Sequence, residues 1–159
     1  MLNKPKLDQS IFREYDIRGI TGTNLTQEVV REIGHAFAQK MHESRIDKVI
    51  TGRDGRLSSK SIEEALTQGL VEGGVDVLTI GQVATPILYY ATNQLNTGTG
   101  IMITGSHNPP EYNGLKMMLN NKTLYGKAIQ EIYQLTSTKV LEKPTGRAGA
   151  TVVSKPYKD

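Results

Sequence analysis

Residues 97–119 read TGTGIMITGSHNPPEYNGLKMML, and the order of side chains in this stretch decides the fold. Ile101 to Thr104 is a short apolar run with β-branched members, and a second apolar run opens at Leu115. Between them lie Gly105, Ser106, His107, Asn108, the pair Pro109-Pro110 and Tyr112-Asn113-Gly114. Short apolar runs bounded by glycine and proline predict a strand, a loop and a second strand. Two consecutive prolines with fixed φ remove much of the loop's freedom, so the hydroxyl of Ser106 is held in one place. A strand that returns after so short a loop is an antiparallel neighbour rather than a crossover.

Upstream of this stretch the pattern alternates. Leu25, Val29, Ile33, Phe37 and Met41 fall four apart, with Val30, Gly34 and Ala38 beside them, which makes one apolar stripe at helical period. Thr26 is its expected N-cap and Glu28 lies in the first turn, where the helix dipole favours a carboxylate. Lys48 to Gly52 reads as a buried strand that runs into the charged, hydroxyl-rich loop RDGRLSSKS. Ile62, Ala65, Leu66 and Leu70 make a second helical stripe, capped near Ser58 or Ser61 and stopped at Gly73-Gly74. Val75 to Ile80 alternates as a strand, and Thr85-Pro86 opens a third helix with proline at its first position. Ile11-Phe12 and Ile17 to Ile20 read as short extended pieces.

Downstream, Leu115 to Leu119 is a strand, Asn120-Asn121 its turn, and Lys127 to Thr136 a last helix carrying Ile129, Ile132, Tyr133 and Leu135. Strand and helix in this rhythm predict an α/β fold: a three-layer α/β/α domain on a mixed, mostly parallel sheet of about four strands. That domain is expected over residues 1–137. The segment 138–159 has two prolines, two glycines and no period, and reads as a linker towards a second domain not present in this chain.

Composition bounds the chemistry. The 159 residues are 37% hydrophobic and 22% charged, ordinary for one globular domain with a core. The chain has no cysteine, which excludes disulfide frameworks, thiolate metal sites and thiol nucleophiles. The polar start MLNKPKLDQS and the lack of any membrane-length apolar run predict a cytoplasmic protein with no membrane partner. The net charge of +3 is concentrated at the end: Lys139, Lys143, Arg147, Lys155 and Lys158 oppose only Glu142 and Asp159 after Thr138. The remainder is balanced, which argues against nucleic acid as a partner.

In an open α/β sheet, ligands bind at loops on the carboxyl ends of strands, and Ser106 follows a strand at such an end. A hydrolase elbow of the form G-x-S-x-G fails because Thr occupies position 104, and the adjacent His107 is poorly placed as a base. A phosphate-binding loop of the form G-x-x-x-x-G-K-[ST] does not occur. What remains is a serine that carries phosphate. A phosphoserine brings a charge of about −1.5 to −2, which calls for a metal, basic side chains and backbone N–H donors around it. Lys116 lies just after the loop, and Arg13, Arg18, Arg53 and Arg56 lie in other loop regions.

The segments FREYDIRGI (12–20), TGRDGRLS (51–58), ATPILYYA (84–91) and above all TGSHNPPEYNGLK (104–116) resemble the amino-terminal domain of the α-D-phosphohexomutase family, in its bacterial phosphomannomutase/phosphoglucomutase branch. The resemblance covers residues 8–137, and the serine loop is its most specific motif. It implies that Ser106 is phosphorylated in the resting enzyme and passes its phosphoryl group to a sugar phosphate through a hexose 1,6-bisphosphate. That bisphosphate is also the expected activator, and a phosphate oxygen on Ser106 would ligate Mg2+. Lys116 would act as general acid or base, with His107 counted among the catalytic residues. Tyr15 and Arg18 would face the sugar, and Asn108, with His107, would shape the loop around the phosphate. Asp54 and Arg56 also match and are expected to hold loops together. Such enzymes have four domains, and the acidic D-G-D-G-D-R loop of the second does not occur here. The chain is therefore expected to need the remaining domains of the enzyme as partners and to be inactive alone. Two other readings stand beside this one: a non-catalytic binding or assembly module, and a serine phosphatase or hydrolase fragment.

Overall fold

The apolar stripes do form the expected elements in the computed structural model, which describes residues 5–138 and the backbone of a strand at 151–153. Helix α1 spans Gln27–Glu43, with the Thr26 hydroxyl accepting from the Val29 amide at 3.2 Å and Val29, Val30, Ile33, Phe37 and Met41 buried. Helix α2 spans Ser59–Glu72, α3 spans Thr85–Gln94 and α4 spans Lys127–Thr138. The strands are β1 (Ile17–Ile20), β2 (Lys48–Arg53), β3 (Asp76–Gln82), β4 (Gly100–Ile103), β5 (Tyr112–Leu119), β6 (Lys122–Thr123) and β7 (Thr151–Val153).

They form one sheet in the order β1-β5-β4-β2-β3-β7, with β6 added beside β5. Pairings β2–β3, β2–β4 and β3–β7 are parallel, whereas β1–β5, β4–β5 and β5–β6 are antiparallel. Alternation along each strand sends neighbouring side chains to opposite faces. Val49, Val77, Ile101, Ile103, Leu115 and Met117 meet α1, α2 and α4 in the larger core. Ile50, Ile80 and Met102 meet Leu88 and Ala91 of α3 in a smaller one. This is the expected mixed three-layer α/β/α architecture.

The sheet is wider than four strands for three reasons. The Ile17–Ile20 piece enters it as β1, antiparallel to the first half of β5. Residues 122–123 fold back on β5. Within the segment read as linker, Thr151–Val153 pairs with Val77, Leu78 and Thr79 of β3. The rest of that segment lies outside the described residues. Strand β5 also begins three residues earlier than its apolar run, because Asn113 and Gly114 pair with Gly19 and Arg18. Ile11 lies in a 3-10 turn over Gln9–Ile11 rather than in an extended piece; the Asp8 carboxylate caps that turn.

Helices α1 and α2 approach closely because two glycines face each other. A Cβ on Gly34 would sit 2.8 Å from the Leu66 carbonyl oxygen, and one on Gly69 would sit 2.1 Å from that of Arg31. Arg31 and His35 of α1 reach Glu72 at 2.6 and 3.1 Å at the end of this contact.

Candidate active site

Adjacent parallel strands β2 and β4 carry their following loops to the same end of the sheet. The Asp54 amide, just past β2, donates to the Ile103 carbonyl at 2.8 Å, so loops 54–58 and 104–111 lie side by side. Ser106 is exposed at the tip of the second loop, and its backbone stands in the left-handed region at φ 52°. For a serine that conformation is uphill and needs support from its surroundings. That support comes from two hydrogen bonds: the Ser106 amide donates to Thr104 Oγ1 at 3.0 Å, and its carbonyl accepts from Arg56 Nη2 at 3.1 Å.

Arg56 is the clamp of this loop. Its Nη2 also donates to the Asn108 carbonyl at 2.7 Å, and its Nη1 donates to the carbonyls of Pro109 at 2.7 Å and Tyr112 at 3.2 Å. The guanidinium lies flat on Gly105, where a Cβ would meet Nε at 2.0 Å. Asp54 completes the grip. Its carboxylate accepts from the Gly105 amide at 2.9 Å, from the Arg56 amide at 3.1 Å and from the Ser59 hydroxyl. Burial by itself would raise the Asp54 pKa; these donors outweigh that and hold it below the ordinary carboxylate value. Asp54 and Arg56 therefore hold the loops together, as expected.

Arg18 supplies positive charge from the opposite side. It is 2% exposed on β1, and its guanidinium passes over Gly114, where a Cβ would sit 3.2 Å from Cζ. Nη1 donates to the Thr104 carbonyl at 2.7 Å, while Nη2 pairs with Asp16 at 2.6 Å and reaches Ser106 Oγ at 3.4 Å. Lys116 is half-buried on β5 opposite Met102. Strand alternation and register put Lys116, Gly114 and Arg18 on the same face of the sheet. Lys116 makes no hydrogen bond or ion pair among the described residues.

The remaining expected residues fall into two groups. Asn108 is part of the loop itself, with its Nδ2 and its amide both donating to the Gly105 carbonyl at 3.0 Å. His107 and Tyr15 are exposed, Tyr15 at 72%, and neither has a side-chain partner among the described residues. Of the other arginines named from sequence, Arg53 is paired with Glu63 at 3.1 Å, and Arg13 is exposed. Ser58 precedes α2 as expected but does not cap it; its hydroxyl accepts instead from Asn113 Nδ2 at 2.8 Å.

Three contributors were not picked out from sequence. Asp16, in the bend just before β1, orients Arg18, and their spacing of two with opposite charge was the available signal. Ser59 and Asn113, both fully buried, link Asp54 to the start of β5 by an Asn113 Nδ2 bond to Ser59 Oγ at 3.0 Å. No sequence signal marks them, because their partners come from distant strands.

Among the described residues no three His, Cys, Asp or Glu side chains cluster so as to hold a metal ion. The carboxylates tied to this loop, Asp16 and Asp54, are already engaged by Arg18 and by the loop donors. These residues do not make a magnesium site by themselves. No helix among the described residues is long and apolar enough to cross a membrane.

Comparison with known proteins bears on the same residues. The family model described as phosphoglucomutase/phosphomannomutase, alpha/beta/alpha domain I, matches residues 9–142. A phosphoglucomutase of Neisseria meningitidis serogroup B is 50% identical over 127 residues, covering 80% of this chain and 28% of its own length. A phosphomannomutase/phosphoglucomutase of Pseudomonas aeruginosa PAO1 is 47% identical over 128 residues, with 80% and 28% covered. A crystal structure of a phosphoglucomutase/phosphomannomutase family protein from Burkholderia thailandensis superposes with a TM-score of 0.87 at 38% identity, over 94% of this chain and 34% of that one. The chain thus spans under a third of the length of the curated relatives described here.

Proposed function

Because the chain belongs to the phosphoglucomutase/phosphomannomutase family through its alpha/beta/alpha domain I, we propose that it is the phosphoserine domain of a phosphohexomutase. In this reading the whole enzyme interconverts hexose 1-phosphate and hexose 6-phosphate, of mannose, glucose or both. The Ser106 phosphoryl group passes to a sugar hydroxyl: the serine O–P bond breaks as the sugar O–P bond forms, giving a hexose 1,6-bisphosphate. After the bisphosphate turns over, its other phosphoryl group returns to Ser106.

The observation that carries this reading is the exposed Ser106 Oγ, 3.4 Å from the buried guanidinium of Arg18 on a loop whose backbone is fixed. Phosphoryl transfer demands positioning and charge neutralisation more than covalent help from the protein. The loop supplies the first and Arg18 the second. Lys116, unpaired among the described residues on the same sheet face, is assigned the proton of the attacking hydroxyl. His107 is assigned to the catalytic group beside the serine, and Tyr15 and Asn108 to substrate binding. Magnesium would take one oxygen of the Ser106 phosphate and its other ligands from the remaining domains, which also supply sugar contacts. In this reading the whole enzyme works in the cytoplasm.

The test is a chimera in which residues 9–142 replace the matching part of the Neisseria meningitidis phosphoglucomutase. We expect mutase turnover in the chimera, little or none in the 159-residue chain alone, and loss of nearly all turnover in Ser106→Ala. Undiminished turnover in Ser106→Ala would contradict the phosphoserine role and favour a binding or assembly module.

A further inference from the structure

We infer that Arg56 is a positioning residue for Ser106 and does not itself bind phosphate; the inference rests on the phosphoserine reading given above. An arginine beside a phosphorylated serine invites assignment as a phosphate ligand, and the geometry points elsewhere. A guanidinium has five N–H donors. In Arg56 the four on Nη1 and Nη2 face the carbonyls of Pro109, Tyr112, Ser106 and Asn108, and Nε faces Asp54 Oδ2 at 3.4 Å. The four Nη donors are all committed to carbonyls, and Nε, the remaining one, lies over Gly105 against the Asp54 carboxylate rather than towards Ser106 Oγ. Arg18, whose Nη2 already reaches Ser106 Oγ, is the cation at the reacting atom.

Arg56 and Asp54 together hold the backbone on both sides of the serine. Arg56 binds the carbonyl of Ser106 and those of Asn108 and Pro109 beyond it, while Asp54 binds the Gly105 amide before it. Between these points Ser106 stands at φ 52°, which a free loop would leave for an extended or right-handed conformation. Release would move Oγ away from Arg18 without removing any group that touches substrate. Displacement of a reacting atom by about an ångström is enough to lower a rate on the order of 10²-fold. Lysine keeps the charge but offers no planar fork, so it cannot span four carbonyls.

The experiment uses Arg56→Lys. In the 159-residue chain, amide hydrogen exchange over residues 104–112 is compared with exchange in the buried strands β2 and β4. In the enzyme completed with its remaining domains, kcat and KM for the sugar phosphate are measured. The expected result is faster exchange confined to the loop, kcat lower on the order of 10²-fold and KM unchanged. Unchanged loop exchange, exchange raised equally in the core strands, or a full kcat would each overturn the inference, and a raised KM with normal kcat would make Arg56 a substrate ligand. Failure of the phosphoserine reading itself is read separately, from Ser106→Ala with undiminished turnover; a loop loosened by Arg56→Lys in that case leaves the clamp standing as a structural device only.

Discussion

Replacing Gly105 by alanine places one methyl group between the loop and its clamp. The new Cβ would lie 2.0 Å from Arg56 Nε and 2.1 Å from Cζ, so the guanidinium has to leave its seat. Gly105 is outside the left-handed region, and alanine therefore meets no backbone penalty there. The loss is then that of the bonds Arg56 makes. Those to Asn108 and Tyr112 are partly buried; those to Ser106 and Pro109 are exposed, and water replaces them at little loss. Two bonds from a charged donor, at the low end of about 1.5 kcal/mol each, give about 3 kcal/mol. Residual crowding adds on the order of 1 kcal/mol. Urea unfolding of the 159-residue chain should therefore report Gly105→Ala as less stable by about 3–4 kcal/mol. Arg56→Ala removes the same bonds without the clash, so the double variant should fall well short of the sum of the two single ones, with a coupling of about 3 kcal/mol. A Gly105→Ala effect under about 0.5 kcal/mol, or strict additivity in the double variant, would refute the clamp.

Two further perturbations test other parts of the framework. Gly69→Ala directs a methyl group at the Arg31 carbonyl, 2.1 Å away on a helix backbone that cannot turn aside, and should destabilise the chain by about 3 kcal/mol in the same assay; a neutral result would mean that α1 and α2 do not pack through Gly34 and Gly69. Asp54 has a lowered folded pKa, so its contribution is present above its ordinary value of 3.8 and is lost as pH falls through the folded pKa. The stability gap between the wild type and Asp54→Asn should be constant above about pH 5 and close steadily in more acid solution, and a gap that does not change down to about pH 2 contradicts the assigned contacts.

The elements carried by periodicity were legible in the sequence. The stripe from Leu25 to Met41 is α1, and the short apolar runs at Lys48, Val75 and Ile101 are three central strands. Burial of one face fixes those patterns locally, so a single chain displays them. What the sequence hid depends on distant partners. Asn113 and Gly114 look like loop residues until Gly19 and Arg18 pair with them, and a two-residue strand such as β6 has no pattern to read. Gly34 and Gly69 lie in helical stripes as weak positions, and only the crossing of two helices gives them a purpose. The site divides in the same way. Ser106 and Lys116 could be named from a loop motif and its flank and Arg18 from the FREYDIRGI segment, whereas the function of Arg56 resides in four backbone carbonyls, which carry no side-chain signature.

The phosphoryl group proposed on Ser106 can be weighed directly. Intact mass and phosphopeptide mapping of the Neisseria chimera, before and after incubation with glucose 1,6-bisphosphate and magnesium, should place a single phosphate on Ser106 and none in Ser106→Ala. A chimera that turns over hexose phosphate with no phosphate on Ser106, or with its phosphate on another residue, would contradict the assignment of this loop as the carrier.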